Sequence, residues 1–64
     1  MNANQINKHL RSLGVVIRRG NGYYYWLDAN KDLVVYAESV YVYRASDLPL
    51  ERWIELAKAA ATHR

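Results

Sequence analysis

Gly20-Asn21-Gly22 separates two runs that suit an extended chain, and this short turn constrains the sequence more than any other feature. Before it, Val15-Val16-Ile17-Arg18-Arg19 is rich in β-branched residues, which fit a pleated surface. After it, Tyr23 to Leu27 is an aromatic run that no turn favours. Glycine and asparagine tolerate positive φ, so the three residues between supply the chemistry of a tight hairpin. Strands joined so closely pair antiparallel, because a parallel pair needs a crossover of about a dozen residues or more.

Asp28-Ala29-Asn30-Lys31-Asp32 reads as a polar turn, after which Leu33 to Ala37 and Val40 to Arg44 resume strand character. The Glu38-Ser39 pause reads either as a bulge in one long strand or as a turn between two. The expected sheet is a three- or four-stranded antiparallel meander. Upstream, Ala3, Ile6, Leu10 and Leu13 recur at helical spacing and predict a helix from about Ala3 to Leu13. Asn2 or Asn4 can cap it, Gly14 suits its left-handed end, and Lys8, His9 and Arg11 lie toward the end the helix dipole makes negative. Downstream, Ala45 to Glu51 reads as a helix start, with Pro49 in the first turn and Asp47 and Glu51 near the positive end of the dipole. Leu50, Trp53, Ile54, Ala57 and Ala60/Ala61 form the apolar stripe of this second helix, which is expected to run to about Thr62. The expected class is α+β in the order α-β-β-β(-β)-α, as one domain over residues 1–64.

A chain of 64 residues buries a modest core, and small domains often add disulfides or a structural metal. The absence of cysteine excludes disulfides and thiolate zinc sites, and it suits a reducing compartment. An apolar share of 52% supports a folded core rather than wholesale disorder. The polar start from Met1 to Leu10 lacks a secretory h-region, and no apolar stretch approaches the ~20 residues that span a bilayer. The expectation is a cytoplasmic protein without membrane contact. The net charge of +3 comes from scattered residues, with Arg18-Arg19 the only adjacent basic pair.

The aromatic content is six Tyr and two Trp with no Phe, so every ring carries a polar group that wants a partner or water. Successive strand side chains point to opposite faces. Grouping aliphatics with aliphatics predicts a core face of Val15, Ile17, Tyr25, Leu27, Leu33, Val35, Val40 and Val42. The other face then collects Arg18, Tyr24, Trp26, Tyr36, Tyr41 and Tyr43, fringed by Asp28 and Glu38. Two helices on the aliphatic face would leave the aromatic face open as a binding surface. One helix on each face would make the aromatics core, and a second copy of the chain could also bury them.

No nucleophile, base and orienting group come together in this sequence. Ser12, Ser39 and Ser46 stand at expected element ends, where capping and turn roles are commoner than catalysis. His9 and His63 are far apart and lack the further ligands a metal needs, and Asp28 and Asp32 read as turn formers. Gly20-Asn21-Gly22 has neither the helix nor the lysine of a phosphate-binding loop. The expectation is no enzyme activity, no cofactor and no small-molecule substrate. Interleaved arginines and aromatics suit a protein interface, where Tyr, Trp and Arg carry much of the binding energy. They also suit single-stranded nucleic acid, with bases on the rings and Arg18, Arg19 and Arg44 on phosphates.

Gly22-Tyr23-Tyr24-Tyr25-Trp26 and Ser39-Val40-Tyr41-Val42-Tyr43-Arg44, followed by Ser46-Asp47-Leu48 and Trp53, resemble small proteins of phages and other bacterial mobile elements. The resemblance spans about two-thirds of the chain, and Pro49 departs from it where a Ser or Thr cap is more usual. It implies an accessory protein that binds and modulates a host factor, inhibitors of host defence being among such proteins. The leading expectation is a non-enzymatic module that holds a protein partner or a second copy through Arg18, Tyr24, Trp26, Tyr36, Tyr41 and Tyr43. Nucleic-acid binding on the same face is the alternative.

Overall fold

In the computed structural model, helix α1 (Ala3–Leu10) starts on a reciprocal cap. The Asn2 side chain accepts from the Gln5 N–H at 2.9 Å, and the Gln5 side chain accepts from the Asn2 N–H at 2.9 Å. The structure describes residues 1–36 and 38–62, so Ala37, the expected end of a strand, and His63 lie outside the described residues. Arg11–Leu13 tightens into a 3-10 turn, so the expected helix splits near Leu10 rather than running unbroken to Leu13. Gly14 ends the turn at φ 86°, a left-handed conformation in which any Cβ would be strained.

Strands β1 (Val15–Arg19) and β2 (Tyr24–Asp28) form an antiparallel hairpin. The Gly20 N–H donates to the Tyr23 carbonyl at 2.7 Å, leaving Asn21 and Gly22 as the loop, with Gly22 at φ 83°. A two-residue loop sets the register for the whole hairpin, from Arg19 opposite Tyr24 to Val15 opposite Asp28. Each pair therefore joins an odd-numbered residue to an even-numbered one. Opposed residues share a face, so Ile17 lies beside Trp26 and not beside Tyr25.

That register corrects the expected faces. Tyr24 and Trp26 are buried with Val15 and Ile17, whereas Tyr25 lies on the opposite face with Val16, Arg18 and Leu27, of which Leu27 is buried as expected of it, at 3% exposure. Leu33, expected in the core, is 61% exposed. Val35, Val40 and Val42 do pack against the core, as expected of them. Helix α2 (Leu50–Thr62) begins as the Pro49 carbonyl accepts from the Arg52 and Trp53 N–H groups at 3.0 and 3.2 Å. Ile6 and Leu10 of α1 join Trp53, Ala57 and Ala60 of α2 in one core cluster with Val15, Ile17, Tyr24 and Trp26. Both helices thus cover the same face of the hairpin. Trp53 meets Tyr24 and Trp26 edge-on at centroid distances of 5.6 and 6.1 Å, and its indole N–H donates to the Ala45 carbonyl at 2.8 Å. Its polar group is satisfied without reaching water.

The two segments expected to form a third and a fourth strand make isolated bridges to β2 instead, Leu27 to Val34 and Tyr24 to Val40. The chain takes six steps from Val34 to Val40 while β2 takes three from Leu27 to Tyr24. No continuous ladder fits such a mismatch, and the excess falls around the Glu38-Ser39 pause. Among the described residues the sheet has two strands.

Gly20 carries a further constraint. A methyl group at its Cα would lie 2.6 and 2.7 Å from Cε2 and Cε1 of Tyr23, whose ring covers the glycine. Gly20→Ala is therefore expected to displace the tip of that half-buried ring and cost about 1 kcal/mol, the low end of overpacking. Asn21→Ala, at negative φ on the exposed loop, should stay within about 0.5 kcal/mol. Thermal unfolding of the two variants side by side checks the contrast.

Candidate functional site

With both helices on one face, the opposite face presents tyrosines. Tyr23, Tyr25 and Tyr36 line an open hollow of about 410 Å³ with Gly20, Val34 and Ser39. The Tyr23 ring lies 6.0 Å from Tyr25 and 6.1 Å from Tyr41, tilted by 44° and 42°, so three rings form a continuous row. Tyr41 is 80% exposed and Tyr43 is 68% exposed. Val34 and Leu33 add exposed aliphatic surface.

Charge enters this face through Arg18. Its guanidinium donates to Asp32 Oδ1 at 2.9 Å, with both side chains exposed. The Asp32 carboxylate first, and then the Tyr25 hydroxyl, raise the guanidinium above its already high ordinary pKa. Asp32 reaches Arg18 from a backbone at φ 56° in the turn after β2. The turn is organised by Asp28, whose buried carboxylate accepts from the Asn30 and Lys31 N–H groups at 2.8 and 2.9 Å. The Tyr36 hydroxyl donates to Glu38 at 3.3 Å. Partial burial and then the Glu38 charge raise the Tyr36 phenol above its ordinary pKa.

The residues expected on the aromatic face separate under this geometry. Arg18 stands opposite Tyr25 on the tyrosine face, Tyr36 lines the hollow and also packs against the core, and Tyr41 adjoins Tyr23. Tyr43 is exposed, with no ring contact among the described residues. Tyr24 and Trp26 lie in the core, with Trp26 only 1% exposed. Arg19 is exposed opposite Tyr24 at the hairpin end. Arg44 is exposed, and its backbone N–H donates to Asp47 at 2.9 Å. Tyr23 and Tyr25 are the site residues that sequence reasoning missed. The two-residue turn held the signal for both, because its register turns odd-numbered residues of β2 away from Ile17.

Asn7 was missed as well. It lies beside Ile6 on the buried side of α1, where a polar residue needs partners. Its side-chain Nδ2 donates to the Ile17 carbonyl at 3.0 Å, and its Oδ1 accepts from the Ile17 N–H at 2.8 Å. One amide thus occupies the outer backbone edge of β1 at its middle residue. The sequence signal was an amide within an apolar stripe.

Among the described residues, no group of three His, Cys, Asp or Glu side chains could hold a metal ion. Among them, too, no helix is long and apolar enough to cross a membrane. Comparison with family models, curated proteins and solved structures finds no match for this chain.

Proposed function

We propose that this chain is a non-enzymatic interaction module that holds a protein partner, a second copy of itself included, on the tyrosine face of its hairpin. The observation that carries this reading is the row of Tyr25, Tyr23 and Tyr41 beside the open hollow, on the face away from both helices. Tyrosine offers large area at low entropic cost and a hydroxyl for the rim, which is why it is enriched at protein interfaces. The partner-binding set is Tyr23, Tyr25, Tyr36, Tyr41 and Arg18, with Tyr43 at its margin. Tyr24 and Trp26 leave the expected set because they are core.

The geometry favours a protein over single-stranded nucleic acid. Arg18, the arginine set beside Tyr25, is already held by Asp32. Tyr41→Ala and Tyr43→Ala should leave thermal unfolding within about 0.5 kcal/mol of the parent, because both rings are exposed. Tyr41→Ala should lower the association of the chain, read as solution mass across a concentration series and as capture of a native partner. A variant that associates unchanged removes Tyr41 from the interface. Tighter retention of a single-stranded probe than of any protein, falling steeply with salt, would transfer the face to nucleic acid.

A further inference from the structure

A second concave surface lies along the outer edge of β1, away from the tyrosine hollow. It is a groove of about 360 Å³ whose polar lining includes Asn4, Asn7 and Arg11 from the α1 side, with Arg18, Arg19 and Asp32. Three of the chain's nine Lys and Arg side chains converge here. Asp32 is the carboxylate among the lining residues, and Arg18 holds it at 2.9 Å. Arg11 and Arg19 are in no ion pair among the described residues. Because neighbouring strand residues point to opposite faces, Arg18 and Arg19 straddle the edge, and Arg11 overlooks it from the end of α1.

We propose that this groove is an anion site that takes an acidic, extended peptide segment of a partner protein. The groove follows four successive residues of β1, Val16 to Arg19, about 13 Å of extended chain, which matches an extended segment of similar length. Guanidinium groups on both sides meet carboxylates in fork geometry, and the Asn4 amide adds a neutral hydrogen-bonding group. The Asn7 amide already fills the Ile17 backbone edge, so charge rather than extension of the sheet holds the segment. The lining contains no aromatic ring, so single-stranded bases have nothing there to stack on. The groove shares Arg18 with the tyrosine face but none of its rings, so Tyr41→Ala is expected to leave it unaffected.

The test uses a fluorescently labelled hexaglutamate peptide, titrated at low ionic strength and followed by anisotropy. Arg11→Gln and Arg19→Gln are each expected to weaken binding about fivefold, the upper range for exposed charge contacts. Arg52→Gln removes an equal charge from α2, outside the groove, and should leave the affinity nearly unchanged. Asp32→Asn supplies a gain of function that a damaged fold cannot imitate. It removes the carboxylate from the groove and releases Arg18, and asparagine tolerates the φ of 56° at that position. Its affinity for hexaglutamate should rise about fivefold. Equal losses from Arg52→Gln and Arg19→Gln would overturn the site in favour of a net-charge effect. Absence of binding, or unchanged affinity in Asp32→Asn, would overturn it directly. Oligothymidylate that displaces the peptide, and itself depends on Arg11 and Arg19, would overturn the peptide assignment in favour of nucleic acid.

Discussion

Replacing Asn7 with alanine is expected to cost about 2–4 kcal/mol, because two backbone groups of Ile17 lose their partner at once and each such loss costs about 1–3 kcal/mol. A domain of this size has about 5 kcal/mol or little more to lose, so much of the population should unfold at modest temperature. Denaturant unfolding followed by tryptophan fluorescence measures the cost. A second consequence concerns association. The Asn7 amide covers the middle of the β1 edge that β2 leaves unpaired, and an uncovered edge is a template for pairing with another chain. The fraction of Asn7→Ala that stays folded should therefore show a higher mass in light scattering than the parent chain.

Asn7→Asp separates hydrogen bonding from packing. A carboxylate can still accept from the Ile17 N–H, but it presents an oxygen to the Ile17 carbonyl and carries charge into a buried site. Both effects raise the pKa of the new acid in the fold above its unfolded value of about 3.9. A group whose folded pKa is raised keeps its proton in the native state. The penalty relative to the parent is thus smallest below about pH 4 and grows as pH rises through the folded pKa. A penalty independent of pH would mean that the amide acts only by filling space.

Trp26→Ala is expected to cost about 3–5 kcal/mol and to abolish the fold. The ring is 1% exposed, stands edge-on to Trp53 at 6.1 Å, and joins residues of both helices in the core cluster. Far-UV circular dichroism and the loss of a cooperative thermal transition provide the readout. An aromatic on an open face would behave in the opposite way, losing association while keeping the fold. Tyr41→Ala, at 80% exposure, is the matched comparison. If Trp26→Ala kept a cooperative transition near that of Tyr41→Ala, the core described above would be wrong.

These two residues also mark where sequence reading succeeds and where it stops. The helix caps were legible, because Asn2 and Gly14 act through their own backbone neighbourhood. The hairpin was legible from the same kind of local chemistry, and the polar turn from Asp28 to Asp32 followed from Asx preferences. The faces of β2 were not. Tyr23 to Trp26 is aromatic at every position, so alternation has no contrast to act on, and grouping by aliphatic character chose the wrong phase. One bond, from the Gly20 N–H to the Tyr23 carbonyl, sets the loop length and with it the phase of all five pairs. The third run was ambiguous for a different reason. Its β-branched residues favour extension, yet three excess residues between two bridges prevent a ladder, and only the pairing reveals that mismatch.

The amino-acid sequence by itself determined an α+β chain without disulfides, with a tight hairpin between two helices and a surplus of tyrosine. Those properties depend on residues close together in the chain, where propensity and capping act. Only the tertiary structure decided which aromatics are core and which are surface. That choice depends on register and on both helices packing against one face, which bring Ile6, Trp26 and Trp53 together across most of the chain. The same long-range packing set Asn7 against Ile17 and gathered Arg11, Arg18 and Arg19 along one edge. Contacts between residues far apart in sequence are chosen by the free energy of the whole core, which no local window contains.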